Sequence, residues 1–171
     1  MKTRFRNLQK AAITRITTRE YFSMINGRDE MQKKVTKEEL ELLKESGYSD
    51  KAIELYVNRV NVGVLEKPDI VETYTGPCGD VVRLYLALDG NHVIKDAKFQ
   101  CLGCPGVATA ASAVTSLLKG KTIEAAKEIT EDVVFKELEG LPDPKIDCIE
   151  LVMRTLKKAI ANYEKNKNKL S

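Results

Sequence analysis

From Val81 to Leu88 the chain is apolar on one side and mixed on the other. Val82, Leu84, Leu86 and Leu88 fall on one face, Arg83 and Tyr85 on the other. That two-residue period predicts a strand over Val81–Leu88. Ile70–Tyr74 reads as a shorter strand before it. Asp89-Gly90-Asn91 has hairpin-turn chemistry, and Val93–Cys101 returns with Ile94 and Phe99 toward the core. The strands imply an antiparallel sheet of about three strands.

Elsewhere the spacing is helical. Thr36 and Glu39 make a capping-box pair, so a short helix should follow to about Ser46 and stop at Gly47. Ser49 caps a second helix from Asp50 to about Val57. After the sheet, Pro105 suits a first helical turn, and Val107–Leu118 is rich in alanine, so it can pack closely. Thr122 caps a helix to about Ile129, and Thr130 caps another from Glu131 to Leu138. The prolines of Leu141–Ile146 predict an extended segment. A last helix runs from Ile149 to about Tyr163, with Leu151, Val152, Leu156 and Ile160 inward. Strands first and helices after give an α+β fold, with the helices on one face of a three-stranded antiparallel sheet.

Charge divides the chain unevenly. Residues 1–37 hold ten basic against three acidic side chains, a net +7 that leaves −4 for residues 38–171. The basic character therefore belongs to an N-terminal extension, residues 1–47. It reads either as a weakly amphipathic targeting segment or as a loosely docked extension. The aromatics there do not alternate with the bases, which argues against a nucleic-acid surface. No apolar run reaches the roughly 18 residues of a membrane helix. The reading is a cytoplasmic protein with neither nucleic acid nor membrane as partner, and a frayed tail over 164–171.

Four cysteines in 171 residues, without a secretion signal, point to metal or redox chemistry rather than a disulfide framework. All four sit at or beside breaks between elements. Cys78 lies in the turn Thr75-Gly76-Pro77-Cys78-Gly79-Asp80, just before a strand. Cys104 stands before a helix and Cys148 opens one. A helix N-terminus favours the thiolate, which is both the metal ligand and the sulfur nucleophile. Asp80 and Asp147 each lie within two residues of a cysteine and could add an oxygen donor. Thiolate-rich sites select zinc, copper(I) or iron–sulfur clusters. Cys101 forms a C-x-x-C with Cys104 but ends a strand, where a buried core thiol is an equal reading. The single histidine, His92, is placed in the hairpin turn and expected to be exposed.

From about Tyr48 to Tyr163 the chain resembles the iron–sulfur cluster assembly scaffolds of the IscU type, found also as the N-terminal domain of NifU. Asn58-Arg59-Val60-Asn61-Val62-Gly63 is similar to the family's N-P-R-N-x-G, without its proline. Pro77-Cys78-Gly79-Asp80 matches its C-G-D turn. Asp96-Ala97-Lys98-Phe99, followed by Gly103-Cys104, matches D-A-K-F-x-x-x-G-C. Lys119-Gly120-Lys121-Thr122 matches K-G-K-T, and Leu141–Cys148 stands where the family has L-P-P-V-K-x-H-C.

The resemblance implies an IscU-like scaffold domain over 48–163 that builds a 2Fe–2S cluster and passes it on, and that is not an enzyme. It implies Cys78, Cys104 and Cys148 as cluster ligands and persulfide acceptors, with Asp80 as the acidic residue tied to ligation and lability. The implied sulfur donor is a cysteine desulfurase, and the recipients are apo iron–sulfur proteins. Iron is the metal, with zinc in the apo form, and a homodimer around the cluster is compatible. Three departures stand out. Asp147 replaces the histidine before the last cysteine, Leu-Pro-Asp-Pro-Lys alters the chaperone-binding segment, and Cys101 stands where a polar residue is usual. Asp80 is therefore preferred as fourth ligand, with Asp147 and Cys101 as secondary candidates. A zinc-binding thiolate module that regulates a partner is the alternative, and a plain Cys101–Cys104 dithiol a third reading.

Overall fold

The computed structural model describes residues 35–170. The readings made for the basic segment before Val35 lie outside these residues. From Val35 onward the chain forms one compact unit.

The capping box forms as expected. The Thr36 Oγ1 accepts from the Glu39 N–H at 3.1 Å, and the Glu39 carboxylate accepts from the Thr36 N–H at 3.0 Å. Helix α1 spans Lys37–Glu45 and α2 spans Asp50–Val57, with Ser49 accepting from the Ala52 N–H at 3.0 Å. Leu43 of α1 and Ala52, Ile53 and Leu55 of α2 are buried in the common core.

Strands β1 (Ile70–Thr75), β2 (Val81–Leu88) and β3 (Ile94–Leu102) form one antiparallel sheet in the order β1-β2-β3. The register pairs Leu84 with Phe99 and Val82 with Cys101, so the inward row of β2 meets the inward row of β3. Val82, Leu84, Leu86, Ile94 and Phe99 are at most 1% exposed. Burial of side chains this large contributes on the order of 2–3 kcal/mol each. The free edge of β3 is covered. Gly63 N–H and Asn61 C=O bond to the Phe99 backbone at 2.8 and 3.0 Å, and Gly120 and Lys121 bond to that of Ile94 at 2.8 Å. Covering an edge strand removes a template for unwanted pairing.

Helix α3 (Pro105–Leu118) lies on β3 with Val107, Ala110, Ala111, Val114 and Leu118 inaccessible to solvent. Its small residues bring the helix close to the sheet. Two short helices follow, α4 (Ile123–Lys127) and α5 (Glu131–Glu137), capped by Thr122 and Thr130. The final helix α6 (Ile146–Leu170) packs on α3 and across β1 and β2. Three of the motif segments meet here. The Lys119 Nζ donates to Asn61 Oδ1 at 2.7 Å and pairs with Asp96 at 2.9 Å. Those residues fasten the 58–63 segment and the end of α3 to the sheet.

Three expectations need correction. Residues 141–146 are not extended throughout, because Asp143–Lys145 is a 3-10 turn running straight into α6. The fixed φ of Pro144 suits a first helical turn as well as an extended chain. Helix α6 begins at Ile146 rather than Ile149 and extends past Tyr163 to Leu170. Its last turns are tied down by an ion pair from Glu164 to Lys127 and by Tyr163 and Lys167, which meet the His92 ring at 2.8 and 3.1 Å. His92 is accordingly half-buried, not free in solvent.

Candidate functional site

The hairpin between β1 and β2 is the first arm. The Gly79 N–H bonds to Gly76 C=O at 2.9 Å, and the Gly76 N–H bonds to Asp80 C=O at 2.8 Å. Gly79 has φ +86°, the left-handed position such a loop reserves for glycine. This turn leaves Cys78 exposed at its tip and sends Asp80 back toward β3. The Asp80 carboxylate lies against Gly103: a Cβ there would stand 2.7 Å from Asp80 Cγ. The Cys104 N–H points to Asp80 Oδ2 at 3.5 Å, a long contact.

The second and third arms are helix starts. Cys104 is the N-cap of α3, with Pro105 behind it. Cys148 is in the first turn of α6 and is buried. The two helices converge at this end, and the Cys104 and Cys148 Sγ atoms are 3.5 Å apart. Gly106 allows the approach, since a Cβ there would be 3.1 Å from Cys148 Sγ and 3.3 Å from Lys145 Cβ.

That contact separates the two thiols electrostatically. Hydrogen bonding from Cys148 pulls Cys104 down to about 6, assisted by the Val107 N–H at the helix start and by Lys145, against burial and Asp80. Cys148 moves upward, because it keeps the shared proton and is buried. The pair therefore gives up one proton easily and holds the other. Cys101 lies in β3, where burial, then the charges of Cys104 and Asp80, push it up to about 12. Asp147 is exposed on the first turn of α6.

The structure thus brings together Cys104, Cys148 and the Asp80 carboxylate, and holds Cys78 on an adjoining glycine-hinged turn. Among the described residues no three of His, Cys, Asp and Glu are gathered as a preformed metal site. Sequence reasoning passed over Lys145, which faces both paired thiols, and Tyr48, whose ring is buried beside them. A hydrophobic residue just before the Ser49 N-cap was the available signal for Tyr48.

The sequence of this region has close counterparts. Residues 47–170 match the NifU-like N-terminal domain. The chain belongs to the NifU-like N-terminal domain family. Two Archaeoglobus fulgidus proteins called iron-sulfur cluster assembly scaffold protein IscU are each 40% identical over 124 residues, covering 72% of this chain and 80% of theirs. The Haemophilus influenzae protein of that name is 40% identical over 122 residues, covering 68% of this chain and 95% of its own. A solved NifU-like N-terminal protein from Brucella abortus shares the fold at TM-score 0.56 and 21% identity, covering 72% of this chain and 98% of that one. The match to the NifU-like domain contains every cysteine and both candidate aspartates.

Proposed function

We propose that this NifU-like domain is a scaffold on which a 2Fe–2S cluster is assembled from iron and from sulfur delivered by a cysteine desulfurase, then passed to apo-proteins. The observation that carries the reading is the Cys104–Cys148 pair, 3.5 Å apart at two helix starts with a carboxylate beside it. A thiolate available near neutrality is what sulfur acceptance and iron ligation both require. Three thiolates and one oxygen donor suit a soft, exchangeable cargo better than a permanent one.

Cys78, Cys104, Cys148 and Asp80 are the proposed ligands, the three cysteines also serving as persulfide acceptors. Asp80 is favoured as the fourth because its carboxylate already lies against Gly103 and Cys104. Cys101 is held protonated by burial, and Asp147 is exposed. The glycine-flanked turn then carries Cys78 onto the pair as the cluster forms. Binding and release of cargo, rather than turnover of a substrate, make this a carrier and not an enzyme. A second copy of the chain could shield the exposed face of the cluster. Among the described residues no helix is long and apolar enough to cross a membrane, and the free thiols fit a reducing compartment such as the cytoplasm.

Anaerobic reconstitution with iron, a desulfurase and cysteine tests the reading. A 2Fe–2S chromophore weakened by serine substitution at Cys78, Cys104 or Cys148 is the expected result. A colourless protein that holds zinc tightly and takes up no persulfide would instead favour the zinc module.

A further inference from the structure

Tyr48 is fixed by the chain on both sides. Gly47 ends α1 at φ +85°, and the Tyr48 N–H reaches back to Leu43 C=O at 3.2 Å while Gly47 N–H bonds Lys44 C=O at 3.0 Å. These two bonds form a Schellman cap. Ser49 then caps α2, and its hydroxyl also bonds to Leu138 C=O. Held between two helix ends, the ring is driven into the core and is 8% exposed.

Its oxygen lies against the Gly106 N–H, while its own O–H reaches no acceptor. Gly106 in turn lies against the thiol pair, since a Cβ on it would be 3.1 Å from Cys148 Sγ, and the phenol feels the charge of both Cys104 and Cys148. A phenol is neutral near pH 7, so its O–H is available as a donor. A buried donor without an acceptor destabilises a protein, and each such group in a native structure calls for an explanation. Here the two sulfurs satisfy one another at 3.5 Å and leave the neighbouring hydroxyl unused.

We propose that the Tyr48 hydroxyl is a positioning residue for sulfur in transit: it donates a hydrogen bond to the outer sulfur of a persulfide carried on Cys104 or Cys148. The inference rests on the reading of these thiols as sulfur acceptors. In the loading step a cysteine thiolate attacks the outer sulfur of a donor persulfide, R–S–SH. The new protein S–S bond forms as the donor's S–S bond breaks, and the donor leaves as the thiolate R–S⁻. The product, Cys–S–SH, loses its proton to solvent and bears charge on the added sulfur. Loading one thiol breaks the resting Sγ–Sγ contact and creates a new acceptor. Tyr48 is the unused donor at that place.

Tyr48→Phe removes only the oxygen. Tyr56→Phe is the control, since Tyr56 is half-buried and also feels the charge of Cys101 and Cys104. The full chain is equilibrated with graded ratios of glutathione persulfide to glutathione. Sulfane sulfur on each cysteine is then counted by mass spectrometry after alkylation. Loading of Cys104 and Cys148 should fall about tenfold in Tyr48→Phe, the effect of losing one hydrogen bond to a charged acceptor, and stay unchanged in Tyr56→Phe. The unloaded Tyr48→Phe protein should melt at the same temperature as the wild type or higher, because it loses a donor without an acceptor. Equal loading of Tyr48→Phe and wild type overturns the inference. So does a Tyr48→Phe protein that melts lower or fails to fold, which would mark the hydroxyl as a structural partner. Wild-type protein that takes no sulfane sulfur on either cysteine refutes the acceptor reading itself, and this inference with it.

Discussion

The proposed ligands come from two unlike regions. Cys104 and Cys148 are held at the converging starts of α3 and α6, in contact with each other and partly or wholly buried. Cys78 sits on an exposed turn between two strands, between Pro77 and Gly79. The helix region holds its two thiols in contact, and that contact favours a thiolate on Cys104. The turn fixes little beyond Asp80, whose carboxylate bridges the regions by lying on Gly103. On the proposed reading, sulfur and iron bind at the buried pair, and the turn adds Cys78 from outside. A scaffold that must also let go gains from such a division.

The most severe way to break the comparison is to remove a fixed thiol. Cys104→Ser should abolish cluster formation on reconstitution and also erase the thiolate absorbance that the apo protein develops as pH rises through about 6. Cys78→Ser should impair the cluster while leaving that absorbance in place. Identical behaviour of the two variants in the apo titration would mean that the regions are not distinct.

The next effect is steric. Gly103→Ala places a Cβ 2.7 Å from Asp80 Cγ and 3.0 Å from Asp80 Cβ. Rotating the carboxylate away does not relieve the second contact, so the backbone must move, at a cost of about 1–3 kcal/mol. Gly79→Ala meets no atom within 4 Å but must adopt φ +86°, at a cost of about 1–2 kcal/mol. Chemical denaturation should rank the two in that order. Only Gly103→Ala should shift the position of Asp80, read as altered cluster lifetime in a reconstituted sample.

Stability against pH gives a finer separation. The folded Cys104 releases its proton at lower pH than the unfolded chain does, so the unfolded state holds more protons between about 6 and the ordinary thiol range. Stability of the apo protein should therefore rise with pH across that window. Above it the sign reverses, because Cys148 and Cys101 keep protons in the folded state that the unfolded chain gives up. A maximum in denaturation midpoint near the ordinary thiol range, flattened by Cys104→Ser on its acid side, is the expected profile.

Much of this arrangement was legible in the chain. The two-residue period of β2, the caps at Thr36, Ser49, Thr122 and Thr130, and the placement of three cysteines at element boundaries all depend on local chemistry. What was not legible depends on contacts across the fold. The length of α6 is set by partners from elsewhere in the chain, His92, Lys127 and Glu72, which engage Tyr163, Glu164 and Asn162. The 3-10 turn at Asp143–Lys145 was hidden because proline fits the extended and first-turn geometries alike. The opposed shifts of Cys101 and Cys104, three residues apart, follow from burial on one side and a sulfur neighbour on the other. Spacing alone carries neither fact.

The smallest expected effect bears on the fourth ligand. Asp147 is exposed in the first turn of α6, where a carboxylate complements the helix dipole by about 0.3–1 kcal/mol. Asp147→Asn should lower the melting temperature slightly and leave cluster yield and lifetime unchanged. Asp80→Asn should change cluster lifetime instead, since its carboxylate lies beside Cys104. Paired reconstitutions of the two variants, followed by the decay of visible absorbance, separate the cases. If Asp147→Asn proves the more damaging, the oxygen donor belongs to the helix region, and the hairpin contributes its thiol alone.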